Sequence, residues 1–249
     1  MKQLFISLLG LCILVSCVQP QRTEQPKAEL TNPDVWDKEA TTNIRLRPKY
    51  GHAQKSKEQK KLDEDFIKET LRQEEFKGNR RAASDFMIKK GFDYLYNGDL
   101  KTAMYRFNQA YLLDSLNTDI YWGFGGVYMT LEKYDLAKDQ YMEGLSINPE
   151  NTHLLTDLGS YFSIQYQLLQ GVNEEKAQAN LNAAIMCMTK SYTIDAGDPN
   201  TTFKLSACYL LKNDCDNAWK YYDECVALGG APITNEYTEY LKMACKRKE

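Results

Sequence analysis

Few side chains in this 249-residue chain are spaced for chemistry. There are two histidines, His52 and His153. Neither has cysteines or carboxylates around it at the spacing a metal site needs. No Gly-x-Ser-x-Gly elbow and no His-Glu-x-x-His pair occurs. Gly123-Phe124-Gly125-Gly126 falls inside a helical stretch. A phosphate-cradling loop instead precedes a helix, where free N–H groups face the anion. Asp119, Asp157 and Asp195 are scattered, and nothing in the sequence pairs them at catalytic distance. The expectation is no catalytic residue, no metal and no cofactor. Cys17 is the exception, and its chemistry depends on what precedes it.

Lys2 gives the chain a positive start, and Leu4 to Val15 is an apolar run too short to span a bilayer comfortably. This pattern is a secretory signal. Its end, Leu14-Val15-Ser16-Cys17, resembles the lipobox of bacterial lipoproteins. The resemblance implies diacylglycerol on the Cys17 sulfur, removal of residues 1–16 as signal peptide, and acylation of the new amine by chains such as palmitate. Several acyl chains anchor stably where one is marginal. Val18-Gln19 comes next, without the Asp that favours inner-membrane retention in the enterobacterial pattern. No acidic run of the kind that directs lipoproteins to the cell surface is adjacent. The expected location is the bacterial envelope, on the outer membrane facing the periplasm.

Composition adds exclusions. With a net charge of −3 the chain lacks the basic stripe that nucleic-acid binding requires, so no nucleic-acid partner is expected. Residues 17–53 include Pro20, Pro26, Pro33 and Pro48 among polar side chains, a composition that reads as a disordered tether. Trp36 leaves two readings open there: docking on a partner, or lying back on its own domain. Residues 54–80 read as a charged amphipathic helix with apolar pairs Leu62/Phe66 and Ile67/Leu71, then Phe76. Its expected role is to cap the domain C-terminal to it.

That domain is periodic. Gly91, Gly125 and Gly159 recur every 34 residues, with Tyr94, Tyr128 and Phe162 three positions on. Ala103 and Ala137 are 34 apart, as are Ala184 and Ala218, and Phe107 to Tyr141 and Met188 to Tyr222 keep the step. Small and aromatic residues at that period mark stacked helical hairpins. Gly159 to Ala184 is 25 residues where Gly125 to Ala137 is 12. The extra residues keep helical apolar spacing around Gly171-Val172-Asn173, so two lengthened helices are expected rather than a loop.

The pattern resembles tetratricopeptide repeats over about residues 84–232. The resemblance implies an all-α, right-handed solenoid of hairpins, each with a helix A and a helix B. Repeats fall at about 84–117, 118–151, 152–197 and 199–232, within a domain of 81–249 closed by a capping helix at 234–247. Gly91, Gly125, Gly159, Ala103, Ala137, Ala184 and Ala218 then become structural residues where helices approach.

In that family the concave face of the A helices binds partners. Carried over, its positions are Ile88, Phe92 and Tyr96, then Trp122 and Met129, then Thr156 and Ser160, then Phe203 and Leu210. The Lys and Asn that clamp a peptide carboxylate in chaperone-binding members are absent, replaced by Ile88 and Phe92 or by Trp122 and Gly126. An aromatic wall suits a peptide or a partner helix, unless the charged helix covers Trp122 and Phe92. The implied function is a lipid-anchored adaptor that binds another envelope protein or peptide. An accessory role in a carbohydrate-uptake or other outer-membrane complex is the alternative, and an enzyme the least supported.

Cys187, Cys208, Cys215, Cys225 and Cys245 all lie in the last quarter of the chain. Cys208 with Cys225, or Cys215 with Cys245 if the last helix folds back, are conceivable pairs in an oxidising envelope. The odd count and the use of cysteine as a small core residue favour free thiols.

Overall fold

A computed structural model of the chain describes residues 32–247, so the signal peptide, Cys17 and the first part of the expected tether lie outside the described residues. Within them the protein is all-helical. Four hairpins succeed one another: α3 (Arg80–Tyr96) with α4 (Leu100–Leu113), α5 (Asp119–Thr130) with α6 (Tyr134–Ile147), α7 (Thr152–Leu169) with α8 (Glu174–Ile194), and α9 (Pro199–Leu211) with α10 (Cys215–Ala227). They are preceded by α1 (Pro33–Ala40) and α2 (Lys57–Arg72) and followed by α11 (Asn235–Ala244). Each A helix packs on its own B helix, each B on the next A, and successive A helices touch. That is a solenoid.

Close approach explains the small residues. A Cβ on Gly91 would sit 2.4 Å from the Phe107 ring, one on Gly125 2.0 Å from the Tyr141 ring, and one on Gly159 2.7 Å from Met188. The same A-to-B contact thus recurs in three hairpins, and no side chain fits there. Ala103, Ala137, Ala184 and Ala218 are all fully buried. In the fourth hairpin Ser206 takes the glycine's place, and its hydroxyl donates to the Ala218 carbonyl at 2.7 Å. Asn79, Asp99, Asn151, Asn173, Asp198 and Asp214 cap helix starts by accepting from first-turn N–H groups.

The third hairpin is longer, as its spacing implies. Helix α7 has 18 residues against 12 in α5, and α8 has 21 against 14 in α6. Gly171 makes the turn with φ of 72°. Helix α2 caps the first hairpin: Phe66, Ile67 and Leu71 pack with Phe76 against Ala83 and Leu113.

Residues 33–53 correct the tether expectation. They form α1, a short 3-10 turn at Ile44–Leu46 and a left-handed turn within Pro48–His52, strapped across the B helices α4 and α6. Trp36 is 2% exposed and Leu46 0%. Buried Asn108 holds the strap, donating at 2.9 Å to the carbonyls of both Arg45 and Arg47 and accepting from the Tyr50 N–H at 3.3 Å. Lys49 pairs with Glu143, and Lys133 with Asp37 at 2.6 Å. Two prolines that read as disorder instead start ordered segments: Pro33 opens α1, where a missing N–H costs nothing, and Pro48 opens a turn whose Lys49, Tyr50 and Gly51 are left-handed.

The free-thiol expectation is corrected at one pair of cysteines and holds at the other three. Cys215, at the start of α10, is disulfide-bonded to Cys245, just past α11. Cys187, Cys208 and Cys225 are free and buried.

Candidate functional site

Register places the site. Ser84-Asp85 open repeat one, and Asn117 closes it; Thr118-Asp119 and Asn151 stand 34 residues on. Asn117 donates to Asp85 at 2.6 Å and to Ser84 Oγ at 3.1 Å. Asn151 donates to Asp119 at 2.7 Å and to Thr118 Oγ1 at 2.9 Å. The asparagine that ends one repeat thus staples the N-terminal part of the A helix before it, the second turn of α3 and the first of α5, and holds a carboxylate at the edge of the open face. At the third step the pattern changes to Thr152-His153 and Asp198.

Between these rungs runs a groove over α3, α5, α7 and α9. It consists of two hollows, about 400 Å³ and 280 Å³, with Tyr96 and Trp122 lining both. Its spine is aromatic. Tyr96 stacks on Phe92 at 5.9 Å, Phe92 meets Trp122 at 4.0 Å, and Trp122 lies flat on His153 at 4.1 Å. Trp122 is oriented by its indole N–H, which donates to Asp157 at 2.8 Å, and Lys204 pairs with the other oxygen of Asp157 at 2.7 Å.

Electrostatics link the first turns of α5 and α7. His153 Nδ1 stands 3.5 Å from Asp119. The hydrogen bond to Asp119 raises the His153 pKa; burial opposes this, and the charges of Asp119, Asp198 and Asp157 add to it. Burial acts to raise Asp119, but the hydrogen bonds from His153 and Asn151 and the imidazole charge outweigh it and leave the carboxyl below its ordinary value. Among the described residues no cluster of three metal-ligating side chains exists.

The structure sorts the sequence-derived positions. Ile88, Phe92, Tyr96, Trp122 and Thr156 line the groove, with Ile88, Phe92 and Thr156 as largely buried floor. Thr156 is tied to Ser191 at 2.9 Å and Thr201 at 2.6 Å. Met129 packs against the main core instead, and Ser160 turns its hydroxyl to the Thr156 carbonyl. Phe203 and Leu210 belong to the cap: Phe203 meets Tyr237 of α11 at 5.0 Å, and Leu210 packs with Trp219 and Leu241. No residue of α1, α2 or α11 lines the groove, so the charged helix does not cover Trp122 and Phe92. Sequence reasoning missed Asp85, Asp93, Asp198, Asn200 and Lys204, treated Asp119 and Asp157 as scattered, and read His153 as lacking carboxylates at ligand spacing. The 34-residue recurrence of Ser/Thr-Asp and Asn was the signal that finds the rungs. A second cleft, about 350 Å³, lies between the strap, α2 and α4. Its lysine is already used: Lys55 pairs with Asp63 at 2.5 Å and lies over the Tyr50 ring.

The geometry defines the class: a tetratricopeptide-repeat solenoid with an open A-helix face. The chain is similar to the solved structure of TTC0263, a tetratricopeptide-repeat protein of Thermus thermophilus, with TM-score 0.55 and 14% identity over 65% of this chain and 80% of that one. Two weaker likenesses are to MamA (TM-score 0.43, 17% identity, 72% and 98% covered) and to YrrB, described as a tetratricopeptide-repeat protein with an unusual peptide-binding site (0.32, 21%, 71% and 97%). No protein-family model and no curated protein matches the sequence.

Proposed function

We propose that the protein is a non-enzymatic adaptor that binds a protein or peptide along the groove of its A helices, held at the envelope by a lipid on Cys17. The single observation that supports this most is the groove itself. A continuous aromatic spine stays open while the strap, α2 and α11 cover other faces of the solenoid. Trp122, half-buried and held by Asp157, presents its ring over the buried Phe92, and an aromatic fixed in this way binds with little loss of side-chain freedom. The thirteen extra residues of the third repeat lengthen α7 and α8 and so add no loop that would hold a glycan.

A photo-crosslinking amino acid at Tyr96, compared with one at Met142, which is 56% exposed on α6, tests the reading. The expected result in native envelopes is a discrete protein adduct from position 96 alone, lost when Trp122→Ala is added. The same adducts from both positions would refute it. Anchorage is tested separately: Cys17→Ser should abolish acyl labelling and release the protein from the membrane fraction. Retention of both would exclude the lipid anchor.

A further inference from the structure

The larger hollow brings three aromatic rings and three carboxylates together. Phe92, Tyr96 and Trp122 form its wall, Asp85, Asp93 and Asp119 stand around it, and Lys89 is the one cation among its described lining residues. Tyr96 is 77% exposed, so one face of the spine is free to be covered. The negative charge is only partly offset, by Lys89 in the hollow and by His153 and Arg81 acting on Asp119. Asp85 receives an amide hydrogen bond from Asn117, which leaves its charge in place. Asp119 shares its charge with His153. Asp93 makes no side-chain hydrogen bond or ion pair among the described residues.

An acidic patch alone is a solvated surface, and an aromatic wall alone accepts any apolar group. Combined, they select. A cation over an aromatic face is attracted by the ring quadrupole and again by each nearby carboxylate. An anionic group meets repulsion from the same carboxylates. The other hollow differs, because its Lys204 balances Asp157 at 2.7 Å. The groove therefore has a more electronegative end over α3 and α5 and a less acidic, polar end over α7 and α9, where Asp198 is the carboxylate that Lys204 does not pair.

We infer that the hollow over α3 and α5 is a cation subsite. It takes an arginine or lysine side chain of the bound segment, laid on Tyr96 with its charge toward Asp93, while Asp85 and Asp119 stand further along the same hollow and add to its negative field. This rests on the groove being a peptide-binding surface. Arginine fits better than lysine, since a planar guanidinium stacks on a ring while its edge donates to a carboxylate. The selectivity is opposite to that of a site that clamps a peptide carboxylate.

The test is fluorescence anisotropy on detergent-solubilised full-length protein. The probes are a capped, labelled Gly-Ser peptide with spaced arginines and its citrulline and glutamate counterparts. The arginine peptide should bind, the citrulline peptide about fivefold or more weaker, and the glutamate peptide not at all. Added salt should weaken the arginine peptide selectively. Asp93→Asn and Tyr96→Ala, both at exposed positions, should each weaken arginine binding about fivefold, while Met142→Ala leaves it unchanged. No binding, equal binding of arginine and citrulline peptides, or wild-type affinity in the Tyr96→Ala/Asp93→Asn double variant would each overturn the subsite. The crosslinking experiment separates the two readings. A partner segment crosslinked at position 96 but lacking arginine and lysine would remove the cation subsite and leave the groove as a docking surface.

Discussion

Two neighbouring glycines in α5 offer an internally controlled test of the packing. Alanine at either Gly125 or Gly126 gains about 0.8–1 kcal/mol of helix propensity, because glycine loses more backbone freedom. The surroundings then divide them. At Gly125 the new Cβ would lie 2.0, 2.6 and 2.7 Å from three atoms of the Tyr141 ring, which is fully buried. Carbon atoms rest about 3.5–4.0 Å apart, so the ring must retreat by about 1.5 Å into filled space. Overpacking of this kind costs about 1–3 kcal/mol or more. At Gly126 the nearest atom is the terminal Cδ2 of Leu95 at 3.0 Å, the end of a flexible side chain that turns aside at small cost. Gly126→Ala should therefore stabilise by up to about 1 kcal/mol, and Gly125→Ala should destabilise by about 1–2 kcal/mol. The gap of about 2–3 kcal/mol corresponds to roughly 4–12 °C in melting temperature for a domain of this size. Far-ultraviolet circular dichroism melts and urea midpoints measure it. Equal shifts of the same sign would mean that α5 and α6 do not touch at Gly125, and the register argument would fail with them.

Three further outcomes are expected. Reducing the Cys215–Cys245 bond, which closes a loop with a sequence separation of 30, should cost about 3–4 kcal/mol by chain entropy; melts with and without reductant, and the intact mass of the unreduced protein, check it. Trp36→Ala removes a side chain that is 2% exposed and should cost about 3–5 kcal/mol of strap docking; limited proteolysis should then cut between residues 33 and 53 while the hairpins stay intact. His153, with its pKa raised above 6.5, contributes stability that is complete below pH about 6.5 and lost as pH rises through its folded value. Asp119, with its pKa lowered below 3.8, contributes stability present above pH about 3.8 and lost as pH falls through its folded value. Proton NMR titration of His153 should show the raised value, and Asp119→Asn should bring it down; an unchanged titration would refute the pairing.

The hairpins were legible because their contact admits few residue types. Where a ring from helix B lies against the backbone of helix A, as Phe107 does at Gly91 and Tyr141 at Gly125, only glycine or a similarly small residue survives. The constraint is therefore written in the residue itself. Serine at 206 shows its tolerance, since a hydroxyl that bonds the facing carbonyl occupies the same gap. The strap was not legible for the opposite reason. Proline both breaks and begins helices, and composition cannot say which. The residue that decides the matter, Asn108, lies about sixty positions away on a helix where an asparagine attracts no notice. The disulfide likewise depends on α11 folding back, which spacing alone does not fix.

The cap also limits the site, in a way that four sequence repeats conceal. Helix α11 takes Phe203 through Tyr237, and Ser206 and Tyr237 share a hydrogen bond at 2.6 Å. The fourth A helix therefore gives Phe203, Ser206 and Leu210 to closing the solenoid, and Asn200 and Lys204 are what it brings to the groove. Four A helices in a row set three helix-to-helix intervals, each about 8–10 Å. The open face is then about 25–30 Å long, which an extended segment fills with about eight residues at roughly 3.3 Å each. Across that span the charge is uneven: Asp85, Asp93 and Asp119 gather at one end, while at the other Lys204 offsets Asp157 and leaves Asp198 alone. A segment lying in either direction finds the same aromatic spine, so the aromatics cannot orient it. Polarity along the groove can, because only one direction brings a cation of the segment over α3 and α5.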